Sequence, residues 1–251
     1  MCFSQEASFG FAALGLLCAL YVWRFTTNTR LAVGVFYFFL MEFLQGLQYF
    51  WINDCESSAN QYLTMLGYLH ICFQPFFSNL GLASLLNPKE RQQHAIVLKL
   101  SIVAGFCMML KYVLVPVLGE HYQWPEEPAA CFRNEWMAGD KLCTMDGEVH
   151  LAWEVPLLPS SYYIPSLFLH CFMMFGPMLL FSAPHAWIAG AILFFGGPIL
   201  GSYVTSNMCE QPAIWCFFSV SQICIITAWM FFAQAKMCSW RMFKSPSEKV
   251  E

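Results

Sequence analysis

Residues 31–52 read LAVGVFYFFLMEFLQGLQYFWI, with Glu42 as the one charged side chain. A helix of roughly 20 mostly apolar residues, rising 1.5 Å per residue, is what crosses a bilayer core. A surface helix of a soluble domain sets an apolar stripe against a polar face. This stretch carries one charge in 22 residues, so it predicts a membrane span.

Six further stretches share that character, at 8–25, 62–86, 96–118, 160–181, 186–204 and 214–235. The breaks between them are polar: Thr26–Arg30, Asn53–Asn60, Asn87–Gln93, the long Glu120–Pro159, Ser182–His185 and Thr205–Pro212. Gly196-Gly197-Pro198 interrupts the sixth span, which membrane helices tolerate when neighbours satisfy the freed backbone groups. The composition agrees. Hydrophobic residues are 58% of the 251 and charged residues 11%, with a mean hydropathy of +0.53. A soluble domain carries about a quarter charged residues, and a disordered chain has low hydrophobicity. The net charge of −4 lacks the basic face of a nucleic-acid binder. The expected fold class is an all-α, multi-pass integral membrane protein of seven transmembrane helices. Residues 1–235 form that domain, with outer loop 120–159 between the fourth and fifth helices, and 236–251 form a cytoplasmic tail.

Orientation follows from the distribution of Lys and Arg. With the N-terminus outside, the inner segments carry Arg24, Arg30, Lys89, Arg91, Lys99, Lys236, Arg241, Lys244 and Lys249, and the outer segments only Arg133 and Lys141. Acids show the reverse bias, from Glu6 and Asp54 through the long loop to Glu210. The N-terminus is expected outside and the C-terminus inside. The first span has no basic residue before it and two just after it. That order opposes a signal peptide, so no cleavage is expected.

The cysteines divide by compartment. Cys18, Cys72, Cys107, Cys171, Cys216 and Cys224 lie in spans, where cysteine packs as a small apolar residue. Cys2, Cys55, Cys131, Cys143 and Cys209 fall outside, where an oxidising compartment permits disulfides. Spacing does not determine connectivity. Cys131 and Cys143 share the long loop and form the expected bridge. Cys2 also offers a terminal thiol and amine together if Met1 is removed.

The opening Met1-Cys2-Phe3-Ser4, with Ala7-Ser8-Phe9, resembles a family of small, uncharacterised integral membrane proteins found mainly in bacteria. Glu42-Phe43-Leu44-Gln45-Gly46 is similar to its Gln-x-x-Glu-Gly element with acid and amide exchanged. His70 followed by Pro75, Gly176-Pro177-Met178-Leu179-Leu180, and Ile214-Trp215-Cys216-Phe217-Phe218 look similar too. The resemblance covers most of the seven spans but not the long loop. It implies an all-helical membrane bundle and brings no activity, substrate or cofactor with it.

Ionisable residues inside spans are costly, roughly 2.5–3.5 kcal/mol at a helix centre, and so point to function. Glu42 is near the middle of the second helix and His170 near the middle of the fifth, while His70 lies in the outer half of the third and Lys111 in the outer half of the fourth. Glu42 and Gln45 are three apart, and His70 and Gln74 four apart, so each pair shares a helix face. Glu42, His70 and His170 are expected to converge on one polar site, with Gln45 and Gln74 supplying hydrogen bonds from one turn away. A carboxylate with two imidazoles suits a divalent metal, and equally a proton relay. The plainer alternatives are a protonated Glu42 bonded to a neighbouring helix, neutral histidines bonded between helices, and a Lys111 that snorkels to the interface or pairs. There is no Gly-rich phosphate loop, Gly-x-Ser-x-Gly elbow or Cys-x-x-Cys.

Three readings remain from sequence. One is a membrane protein whose buried polar site binds or conducts a small ligand, metal ion or proton. Another is a metal-dependent membrane enzyme using the same residues. The last is a structural subunit of a larger membrane complex. The partners expected are the lipid bilayer, a small ligand or ion, and a second copy or a membrane complex, with no nucleic acid.

Overall fold

The computed structural model describes residues 4–26, 28–84, 86–119, 135–159, 167–180 and 184–243. They are mostly helical. Helix α1 is Gln5–Phe25, α2 is Thr29–Gln48, and a 3₁₀ turn Tyr49–Trp51 continues it. Helix α3 is Ser58–Leu82, α4 is Pro88–Val113, and the single turn α5 is Val115–Leu118. Helix α6 is Leu167–Leu180. Helix α7 (Pro184–Phe194) passes through a π-helical turn, Phe195–Ile199, into α8 (Leu200–Val204). The last helix, α9, is Gln211–Phe243, and it runs past the span predicted to end at 235.

The polar breaks are helix stops and starts. Thr26 closes α1 by donating to the Val22 carbonyl, and the Asn28 side chain caps α2. Asn87 and Glu90 form a reciprocal capping box at the start of α4, with Pro88 in the first turn, where its missing N–H is no loss.

Among the described residues, five helical segments are long and apolar enough to cross a membrane: Gln5–Phe25, Thr29–Trp51, Pro88–Val113, Ala186–Val204 and Gln211–Trp229. Helix α3 has the length, at 25 residues, but not the apolarity. Its buried positions include Asn60, Thr64, His70, Gln74, Ser78 and Asn79, as suits a helix enclosed by other helices rather than by lipid. Helix α6 has 14 described residues, because the start of its predicted span lies outside the described residues.

Small residues mark the close helix contacts. Helix α1 buries Ser8, Ala12, Gly15, Ala19 and Val22, a stripe of mostly small residues, and exposes Leu14, Leu17, Leu20 and Trp23. Small residues let helix backbones approach closely. At Gly105 of α4 an added Cβ would sit 2.8 Å from the Cys72 carbonyl oxygen of α3, so these two backbones touch.

The long loop is not only a polar cap. Residues 135–159 carry a three-stranded sheet of order β1-β3-β2: β1 (Ala138–Gly139), β2 (Cys143–Asp146) and β3 (Leu151–Pro156). β1 runs parallel and β2 antiparallel to β3, with Thr144 opposite Trp153. This corrects the expectation of an all-α chain. β3 is buried along nearly its whole length, so it lacks the apolar–polar alternation that would have revealed a strand.

The disulfide expectation is corrected as well. Cys143 is bonded to Cys55, not to Cys131, and Cys131 lies outside the described residues. Asn60 explains the pairing. Its side chain donates to the Trp51 and Thr144 carbonyls and accepts from the Thr144 N–H. That clamps β2 onto the start of α3, beside Cys55. Cys209 is disulfide-bonded too. The six cysteines within the spans are free thiols.

A candidate polar site inside the bundle

Helix α2 is apolar outside and polar inside. Val33, Phe36, Leu40, Phe43 and Phe50 are exposed, while Glu42, Gln45 and Gln48 are buried. Each of the two buried amides is held between the 135–159 segment and a neighbouring helix. Gln48 accepts from the Trp153 indole at 2.9 Å and donates to the Leu63 carbonyl at 3.0 Å. Gln45 Oε1 lies 2.9 Å from His150 Nε2, and Gln45 Nε2 donates to the Ala213 carbonyl of α9. The other ring nitrogen of His150 is 2.7 Å from the Tyr49 hydroxyl. Because Gln45 Oε1 can only accept, His150 Nε2 carries the proton and Tyr49 donates to Nδ1. Burial pushes the His150 pKa down to about 3, since the charged imidazolium loses its hydration there. His150 is therefore neutral at physiological pH.

The loop that presents His150 is held by Glu210. One oxygen of that carboxylate accepts from the Val149 and His150 N–H groups, and the other from the Thr205 hydroxyl. Lys111, near the same end of α4, is fully buried and ion-paired with Glu135. Of the two fates expected for it, pairing rather than snorkelling is what the structure has.

The predicted site residues are all buried, in different settings. Neither carboxylate oxygen of Glu42 has a hydrogen-bond partner. Gln74 donates weakly to the Cys216 thiol at 3.8 Å, and its Oε1 has no partner. Both ring nitrogens of His170 lack partners, and the ring meets Trp215 edge to face. Gln74, His170, Cys216 and Glu135 line one cavity of about 20 Å³, room for a single water molecule. Glu42 does not line it but lies within electrostatic reach of Cys216, which does. His70 is set apart from that cavity. Its ring stacks on Tyr37 at 3.8 Å, the Tyr37 hydroxyl donates to the His70 carbonyl, and its Nε2 has no partner. Among the described residues, no group of three or more His, Cys, Asp or Glu side chains stands close enough to hold a metal ion.

Sequence reasoning missed Tyr49, His150 and Trp153 as partners of the α2 amides. Gln48, one turn beyond Gln45 on the same face, was the available signal, because a third buried amide on that stripe requires partners of its own.

A second polar cluster braces the other half of the bundle. Asn79 donates to the Pro75 and Met173 carbonyls and lies 3.2 Å from His94 Nε2. It ties α3, α4 and α6 together with every donor used, and so reads as structural.

No curated protein and no solved structure matches this chain. The model of a family of unknown function, DUF5765, matches residues 6–236, from the first turn of α1 into α9, and the chain belongs to that family.

Proposed function

We propose that this is a membrane protein of seven transmembrane helices, N-terminus outside and C-terminus inside, whose bundle takes up and passes protons through a buried polar site at Glu42, Gln74 and His170. The observation that carries the reading is Glu42, a fully buried carboxyl group with no hydrogen-bond partner on either oxygen. More than nine in ten buried polar groups have partners. In this chain Gln45, Gln48, Asn60, Asn79 and Glu210 all obey that rule. Glu42, Gln74 Oε1 and His170 depart from it, the last two at a cavity of one water's size.

Three features favour the proton over other small solutes. The cavity of about 20 Å³ admits water and little else. Carboxylate and imidazole are the side chains that exchange protons within membranes. Proton exchange at Glu42 switches a buried charge on or off, which a neutral ligand would not do. Gln74 and Cys216 line the cavity with His170 and can orient a water there. Gln45, held between His150 and the Ala213 carbonyl, stiffens the turn of α2 next to Glu42.

The test is proton flux into sealed proteoliposomes, driven by a potassium diffusion potential and read with an internal pH dye. Flux well above that of empty vesicles is expected for the wild type. It should fall at least ten-fold in Glu42→Gln, a near-isosteric change, and in His170→Ala. Wild-type flux equal to that of empty vesicles would overturn the reading, as would flux unchanged in both variants. One zinc ion retained per purified chain, and lost in Glu42→Gln, would replace it with the metal reading.

A further inference from the structure

Helices α1 and α9 pack against each other and run in the same direction, and their contacts climb in register. Phe11 meets Phe217 edge to face, with ring centroids 4.4 Å apart. One turn on, Gly15 faces Val220. A Cβ added at Gly15 would lie 3.4 Å from Val220 Cγ1, so the missing side chain lets α1 settle onto α9. The next pair in this ladder is Cys18 and Cys224, and their thiols lie within hydrogen-bonding reach of each other. Steps of three and four residues keep the three pairs on one face of each helix.

Both cysteines are free thiols and only half-buried. Neither belongs to the polar site of Glu42, Gln74 and His170. A single thiol in a helix packs as a small apolar residue. Two adjoining thiols on different helices are a dithiol, which can hold a soft metal ion or close to a disulfide. The surroundings choose between these. Leu17 and Ile225, next in sequence to the two cysteines, are exposed apolar side chains, while Ala19 and Ile226 are buried. A metal held by two thiolates would leave negative charge among apolar groups, at a high cost in lost solvation. A disulfide is neutral.

We propose that Cys18 and Cys224 form a redox-active dithiol that reduces an apolar quinone and closes to a disulfide joining α1 to α9. Both S–H bonds break and one S–S bond forms. The two electrons and two protons pass to the two carbonyl oxygens of the quinone, which leaves as a hydroquinone. The setting selects this class of oxidant. A quinone is neutral before and after the transfer and takes up protons and electrons together. It also dissolves among apolar side chains such as Leu17 and Ile225, where a charged oxidant does not. The dithiol stands whether or not protons move at Glu42.

Decylubiquinone, mixed without air with the purified, reduced full-length protein in detergent, tests it. Hydroquinone is read by absorbance and the cysteines by non-reducing peptide mapping. The wild type is expected to form one hydroquinone per linked Cys18–Cys224 peptide, as a two-electron couple requires. Both products should be lost in Cys18→Ala and in Cys224→Ala. Both should persist in Glu42→Gln and in Cys107→Ala, which removes another half-buried thiol. Wild-type hydroquinone no higher than in a protein-free mixture would overturn the proposal, as would equal yields from wild type and both cysteine variants. A Cys18–Cys224 link made by copper phenanthroline but not by decylubiquinone would overturn it too, because the thiols would then be neighbours without electron transfer to a quinone.

Discussion

His150 is neutral, buried and hydrogen-bonded at both ring nitrogens, to Tyr49 and Gln45. With a folded-state pKa of about 3 against an ordinary 6.5, the folded protein refuses a proton that the unfolded chain accepts between those values. Stability contributed by neutral His150 is therefore complete above pH 6.5. It falls as pH drops toward 3, by up to about 1.4 kcal/mol per pH unit. Thermal unfolding in detergent should show the wild-type melting temperature declining from pH 6.5 to 4. His150→Gln can keep a donor and an acceptor but does not titrate, and it should flatten that decline. A wild-type curve already flat over this range would contradict the assignment. Single residues also show what was legible in sequence. Glu42, Gln45, His70, Gln74 and His170 could be named because polar groups in apolar spans are costly, and all are buried. His150 could not be named that way. In a polar loop a histidine costs nothing, and its partner Gln45 is 105 residues away.

At the scale of elements, helices were legible and strands were not, for a physical reason. A helix that crosses a membrane satisfies its own backbone and must be apolar over about 20 residues, and five of the described helical segments meet that length and composition. β3 is six residues long and takes its partners from β1, β2 and the Cys209 carbonyl, so nothing local specifies it. The π-helical turn in the seventh of these helices shows the intermediate case. Gly196-Gly197-Pro198 was visible as an interruption, but its purpose lies on α9. A Cβ on Gly197 would collide with Trp215, and Gln222 donates to the Gly196 carbonyl. The Cys55–Cys143 bond joins the α2–α3 turn to β2 across 88 residues. A loop of that length constrains the unfolded chain by about 4.6 kcal/mol. Cys55→Ser should therefore lower the melting temperature markedly and loosen the sheet, while the helices remain. Non-reducing peptide mapping should recover a linked Cys55–Cys143 peptide, and a Cys131–Cys143 peptide in its place would refute the pairing.

For the whole molecule, the sheet divides the protein into unlike ends. Cys55, Cys143, Glu135, Glu154 and Glu210 gather at the sheet end. Arg24, Arg30, Lys89 and Arg91 lie at the opposite helix ends. Two independent arguments support the proposed orientation. Basic residues near span ends are retained inside, and a stable disulfide forms where the compartment is oxidising. Both favour the sheet outside. The proposed seven spans would send the two termini to opposite sides, so Ser57 and Lys249 should lie on different faces. Single cysteines introduced at each, in a background where Cys238 is replaced by serine, can be reacted on sealed cells with a membrane-impermeant maleimide. Position 57 should label from outside, and position 249 only after the membrane is permeabilised. If position 249 labels on sealed cells, the inner face assigned from the basic residues is wrong.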